Sequence, residues 1–214
     1  MRFFLIMMSL GYCLNLSSTV RILCTAALIK QNNELRKTEY INCLERLKHY
    51  GMKPYIVESC HSIGPTFLDD HAFHVCYTGT NNPRLRNKGV NEALSLIAAL
   101  EYFNFDDNDM IIKLTGRYIL EPADFINTVK NNPDVDAVVK RNPDGQVFAV
   151  CFAMRCNHMK TMLNNLNFDS MERNMINLER EVGTYIDRKQ LHYLKINHIG
   201  LSGRVGGSFK SYTA

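Results

Sequence analysis

The sequence predicts an α/β fold: one Rossmann-like domain with a mixed, mostly parallel sheet flanked by helices. Three observations predict it. Short apolar runs at 20–27 and 55–57 lie on either side of a helical pattern that closes on Gly51, and strand–helix–strand is a βαβ unit with parallel pairing. A second helical pattern at 90–103 leads into a third apolar run at 110–114. Lastly, Asn142-Pro143-Asp144-Gly145 reads as a hairpin turn between strands at 136–140 and 147–154, which adds an antiparallel element.

The elements follow in order. The first helix, 33–50, carries Leu35, Tyr40, Ile41, Leu44 and Leu47 at helical spacing. The stretch 60–88 reads as loop with one short strand at 74–77, and Asn81-Asn82-Pro83 marks a turn. A short helix is expected at 122–129, further helices at 157–166 and 171–185, and a last strand at 191–196. Glycines at 200, 203, 206 and 207 read as a flexible end. The expected division is an apolar extension over 1–18, one domain over 19–205 and a flexible tail over 206–214.

With 214 residues, 46% of them hydrophobic and 21% charged, the chain can bury a core of its own. A net charge of +4 is too weak to argue for nucleic acid, and it suits a protein that handles a small anion. Seven cysteines without paired spacing favour reduced thiols and a cytoplasmic setting. The apolar run 3–16 after Arg2 is short for a membrane span but has the outline of a signal segment. A membrane-associated or secretory location is therefore the alternative; a buried strand is another reading of the same run.

Two polar constellations stand out. Arg84-Leu85-Arg86-Asn87-Lys88-Gly89 precedes the helix at 90, where free N–H groups and the helix dipole favour a phosphate. Its other reading is a solvated basic loop. Lys113-Leu114-Thr115-Gly116-Arg117-Tyr118 ends a strand, and open α/β sheets bind ligands beyond the carboxyl ends of strands. There Arg117 can grip phosphate oxygens, Thr115 can donate a hydrogen bond and Gly116 permits close approach. The alternative is a strand end with ordinary surface cations. Glu172 and Glu179 fall on one expected helix, seven residues apart and so on one face, where either can be a general base or merely solvated. Cys60-His61, His71, His74 and Cys76 fit no zinc spacing, and the acidic run 106–109 precedes its strand at the amino edge of the sheet.

Taken in order, several strings resemble small bacterial and viral glycosyltransferase-like proteins of the nucleotide-diphospho-sugar transferase superfamily. They are Arg36-Lys37-Thr38-Glu39-Tyr40, Pro54-Tyr55-Ile56-Val57-Glu58-Ser59, Asn87-Lys88-Gly89-Val90-Asn91-Glu92-Ala93 and Ile111-Ile112-Lys113-Leu114-Thr115-Gly116-Arg117-Tyr118. Phe152-Ala153-Met154-Arg155, Met171-Glu172-Arg173-Asn174 and Asn177-Leu178-Glu179 continue the series. The likeness spans roughly 20–200, and Lys-x-Thr-Gly-Arg-Tyr is its most specific part.

The resemblance implies a GT-A fold, a UDP-, GDP- or dTDP-sugar donor, a glycan or other hydroxyl acceptor, and a place in glycan biosynthesis. It points to Thr25, Ala26 and Glu58 at the base and ribose. With Arg86 beside them, Asn87 and Lys88 fall at ribose and diphosphate, and Glu172 precedes Glu179 as base. Such enzymes hold a divalent metal with Asp-x-Asp at the end of the central strand, where this sequence reads Thr115-Gly116-Arg117. Lys113 and Arg117 then take over the metal's electrostatic role, since cations there repel one. A Mn²⁺ or Mg²⁺ bound by other carboxylates is the alternative. The rival functions are a sugar nucleotidyltransferase and a catalytically inactive nucleotide-sugar-binding module.

Overall fold

Ile22, Leu23 and Cys24 are all fully buried, although neighbouring side chains of a strand point to opposite faces, so this strand must be covered on both sides. The structure is a computed structural model that describes residues 19–28, 33–204 and 211–213. The run 1–18, with its signal-segment reading, lies outside the described residues.

The expected crossover is β1 (Val20–Ala26), α1 (Asn33–His49) and β2 (Pro54–Glu58), with β1 and β2 parallel. Gly51, at φ +71°, turns the chain out of α1 in the left-handed conformation glycine adopts freely. The stretch read as loop holds α2 (Leu68–His71) as well as β3 (His74–Tyr77), which pairs in parallel with β2. Then come α3 (Lys88–Phe103), β4 (Met110–Thr115), β5 (Ile119–Leu120), α4 (Asp124–Asn131) and β6 (Ala137–Lys140). After the hairpin turn, β7 is shorter than its pattern and covers Cys151–Arg155. The chain continues through α5 (Cys156–Asn164), α6 (Phe168–Asn174), α7 (Leu178–Lys189), β8 (Tyr193–Ile196), β9 (Leu201–Arg204) and β10 (Ser211–Thr213).

Seven strands form one sheet in the order β3-β2-β1-β4-β7-β6-β8, in which β7 alone runs against the others. From β1 the chain builds towards β2 and β3 on one side and towards β4 on the other. The reversal puts the topological switch point, where such sheets hold ligands in a crevice, at the carboxyl ends of β1 and β4. On one face Tyr40, Leu44 and Leu47 of α1 and Phe125 and Val129 of α4 pack on Ile22, Cys24, Ile112 and Leu114. On the other, Leu96 and Leu100 of α3, Met159 and Leu163 of α5 and Val182 and Ile186 of α7 pack on Leu23, Val57, Ile111 and Phe152. Among the described residues no helix is long and apolar enough to cross a membrane, and the six described cysteines are free thiols.

Two expectations are corrected. The helix read over 171–185 is two helices. Met175 adopts a left-handed φ of 51°, and Asn177 starts α7 by accepting from Arg180 N. Glu172 and Glu179 therefore do not share a helical face. The tail read as flexible is in part a second sheet: β9 pairs with β5 and with β10, so residues 211–213 are strand, while 205–210 and 214 lie outside the described residues.

Candidate active site

The floor of the crevice is set by the register Thr25↔Thr115, which brings two hydroxyls side by side as β1 and β4 end. Both meet one carboxylate. Thr25 Oγ1 donates to Glu92 Oε1 at 3.2 Å, and Thr115 Oγ1 lies 3.5 Å from the same oxygen. Lys113 reaches it from below, with Nζ 2.5 Å from Glu92 Oε1, 2.5 Å from Ala149 O and 3.0 Å from Thr115 Oγ1. Lys113 has no exposed surface, so it forms the base of the crevice and turns no proton towards its mouth.

The chain next turns through Gly116, whose N–H donates to Thr25 O at 2.9 Å. A Cβ there would lie 3.1 Å from the Tyr40 ring and 3.2 Å from Thr25 O, so the two strand ends close up only around a glycine. Arg117 follows, half-buried, with its guanidinium 5.9 Å from the Tyr118 ring centroid. No hydrogen bond or ion pair engages it among the described residues.

A second guanidinium comes from the first turns of α1. Arg36 Nη1 donates to Ala27 O at 3.1 Å, and Ala27 N donates to the Tyr40 hydroxyl at 3.0 Å. Burial pushes the Tyr40 phenol up to about 12, while its hydrogen bond to Ala27 and the positive charges of Arg117 and Arg36 oppose the rise. The bond of Arg36 to Ala27 O, and that of Gly116 N to Thr25 O just before Arg117, put both arginines beside the end of β1. Lys88, the exposed first residue of α3, stands four positions before Glu92 and so on the same helix face, one turn nearer the mouth. Arg36 and Arg117 thus lie beside the end of β1, and Lys88 opens α3 one turn before the Glu92–Lys113 pair.

Several expected site residues are engaged elsewhere. Glu58 has no exposed surface. Its carboxylate accepts from Leu28 N at 3.2 Å and from Cys60 N at 2.6 Å, tying the ends of β1 and β2 together. Burial raises its pKa, against the lowering effect of those backbone bonds. Ala26 is buried, and its carbonyl accepts from both N and Oγ of Ser59 at 3.1 and 3.0 Å. Asn87 uses both ends of its amide in the fold: Oδ1 caps α3 by accepting from Gly89 N, and Nδ2 donates to Met171 O and Ile176 O at 2.8 and 2.7 Å.

Glu172 does meet the basic loop, but through backbone. Its two oxygens accept from Arg86 N at 2.8 Å and Asn87 N at 3.0 Å, leaving the Arg86 side chain exposed. Glu179 is different: it is half-buried on the first turn of α7, and no side-chain bond engages it among the described residues. Its carbonyl accepts from Val147 N at 3.0 Å, two residues before the Ala149 carbonyl that receives Lys113. That ties α7's first turn to the segment whose Ala149 carbonyl receives Lys113.

Glu92, Arg36 and Tyr40 escaped the sequence reading as site residues. Each carried a signal in its spacing, since Lys88 and Glu92, and Arg36 and Tyr40, are four apart on helices.

The position where a metal would sit is poorly furnished for one. Thr115-Gly116-Arg117 supplies no carboxylate, Glu92 is bonded to an ammonium and Glu58 to backbone N–H groups. Among the described residues no three His, Cys, Asp or Glu side chains gather as a metal site. The acidic run at the amino edge does other work. Asp109 is buried, accepts from Thr19 N at 3.1 Å and pairs with Arg21 at 3.0 Å.

No family model matches the chain, and no curated protein matches it. Among solved structures it is similar to the crystal structure of a glycosyltransferase involved in the glycosylation of the major capsid of PBCV-1. The two superpose with a TM-score of 0.50 at 10% identity, over 84% of this chain and 82% of the other. The mixed sheet with its flanking helices is thus a glycosyltransferase-like fold.

Proposed function

We propose that this chain is a glycosyltransferase that moves a sugar from a nucleoside-diphosphate sugar to a hydroxyl acceptor such as a glycan, and that it does so without a metal. One observation supports the reading: Arg36 and Arg117 lie beside the end of β1 and α3 begins with Lys88 one turn before Glu92, at the strand ends where α/β sheets hold their ligands. Three cations suit the two phosphates of such a donor. Arg117 has no bond to break before it can take a phosphate oxygen.

In the proposed step the acceptor O–H gives its proton to Glu179, and its oxygen forms a bond to the anomeric carbon. The bond from that carbon to the diphosphate oxygen breaks, and its electron pair leaves with the diphosphate. Negative charge grows on the leaving group, where Arg117, Lys88 and Arg36 hold it more strongly than in the ground state. Glu179 replaces Glu172 as first choice of base, because both oxygens of Glu172 are already bonded to backbone. Attack in line with the departing group inverts the anomeric centre, so a product of retained configuration would remove Glu179 from this role.

The test is release of nucleoside diphosphate from UDP-, GDP- and dTDP-sugars in the presence of glycan acceptors, with EDTA or with added Mn²⁺ or Mg²⁺. Transfer that survives EDTA is expected. Transfer that appears only with metal would overturn the metal-free step. Pyrophosphate released from a nucleoside triphosphate and a sugar 1-phosphate would identify a nucleotidyltransferase instead. Binding of a nucleotide sugar with no turnover would identify a silent binding module.

A further inference from the structure

We infer that the second oxygen of Glu92 is a receptor for a sugar hydroxyl of the ligand, and that Lys113 is the positioning residue that holds this carboxylate in place. The inference rests on the reading of the crevice as a nucleotide-sugar site and adds to it a specific contact.

The valences support it. The Lys113 ammonium has three protons, and the structure gives it three acceptors: Glu92 Oε1, Ala149 O and Thr115 Oγ1, at 2.5, 2.5 and 3.0 Å. None is left for a ligand. Glu92 Oε1 is likewise engaged, by Lys113 and by Thr25 Oγ1 at 3.2 Å. Its Oε2 receives no hydrogen bond from any described residue, yet 27% of the Glu92 side chain is exposed, at the crevice between the ends of β1 and β4.

An ionised carboxylate only accepts hydrogen bonds, so what it lacks is a donor. The phosphates of a nucleotide offer none when ionised. The hydroxyls of its ribose and of the transferred sugar do. Alone, a carboxylate beside a diphosphate would repel it. Paired with Lys113 it is an acceptor of no net charge, and Lys88 adds a positive charge one helical turn away.

Calorimetric titration tests this with wild type, Glu92→Gln and the double variant Glu92→Leu/Lys113→Met, each checked for folding by circular dichroism. The double variant removes both members of the pair together, so that it folds even where a lone buried ammonium would unfold the single variant. The probes are UDP, GDP, UDP-glucose, GDP-mannose and the 2′,3′-dideoxy forms of UDP and GDP. For a probe that binds wild type, affinity is expected to fall about tenfold in Glu92→Gln and further in the double variant, as for loss of a hydrogen bond to a charged group. If the hydroxyl belongs to ribose, the dideoxy nucleotides bind weakly and equally to all variants. If it belongs to the transferred sugar, the loss is seen with the nucleotide sugars and not with UDP or GDP. Undiminished affinity of every binding probe for the folded variants overturns the role of Glu92 and leaves the transferase reading standing. Failure of every probe to bind wild type overturns both.

Discussion

Glu58 and Lys113 both lie wholly out of solvent, and the way each is satisfied separates a structural charge from a site charge. Glu58 is ringed by backbone donors, and its burial raises its pKa above the ordinary 4.5. A carboxyl whose folded pKa is raised adds stability that is complete below the unfolded value and is lost as pH rises through the folded one. Glu58→Gln retains an oxygen for Leu28 and Cys60 but cannot ionise. Urea unfolding over a pH series should show the variant gaining on wild type from pH 4.5 upward through the raised pKa, then holding a constant lead. Lys113 is held by the charge of Glu92 instead. Glu92→Ala should cost about 3–5 kcal/mol by stranding a buried ammonium, and adding Lys113→Met should recover most of it, as denaturant midpoints will show. Arg117 has no such structural duty among the described residues. Arg117→Ala should therefore leave the unfolding midpoint nearly unchanged and lower turnover about a hundredfold or more, read from nucleoside diphosphate release.

At the scale of elements, the junction of α6 and α7 shows what periodicity can and cannot reveal. The βαβ unit, α3 and β4 were legible because apolar spacing and the Gly51 turn agree with the fold locally. The break at Met175-Ile176-Asn177 contains neither glycine nor proline, and its one local signal is the capping residue Asn177. It is held from a distance as well, by the Asn87 amide bonding to Met171 O and Ile176 O. Asn87→Ala should cost about 1–3 kcal/mol, since it removes a helix cap and the amide's two bonds to the carbonyls of Met171 and Ile176. Met175→Gly should instead stabilise by about 1 kcal/mol, because glycine takes the left-handed φ of 51° without steric penalty. Thermal or urea unfolding of the two variants checks both signs. The candidate site was legible to the same degree. The start of α3 at Lys88 and the end of β4 just before Arg117 could be placed from order along the chain. The Glu92–Lys113 pair needed α3 to be laid across β4, and the occupied state of Glu58 and Glu172 needed backbone donors that a sequence does not display.

At the scale of the whole molecule, the chain's late strands support its central loop. Glycines at 200 and 203 suggested flexibility, yet each allows a close approach. A Cβ on Gly200, at φ +75°, would lie 2.6 Å from Glu121 O, and one on Gly203 would lie 2.6 Å from Cδ1 of Tyr118. Tyr118 is the ring against which Arg117 lies, so the second sheet braces the proposed phosphate-binding arginine from behind. Gly203→Ala should cost about 1–3 kcal/mol by overpacking, and turnover should fall with the displaced ring, whereas Tyr118→Phe keeps the brace. Steady-state kinetics beside unfolding curves will separate the two effects.

That brace has a consequence for the order in which the protein is made. Synthesis runs from the amino end, and the seven strands of the main sheet are all present once Ile196 has emerged from the ribosome. The partner of β5 is not: Leu201 and Ser202 are still to come. A nascent chain stalled between those points can assemble its large sheet but lacks the support behind Tyr118. The loop that carries Arg117 is thus the part of the fold that waits for residues beyond the main sheet.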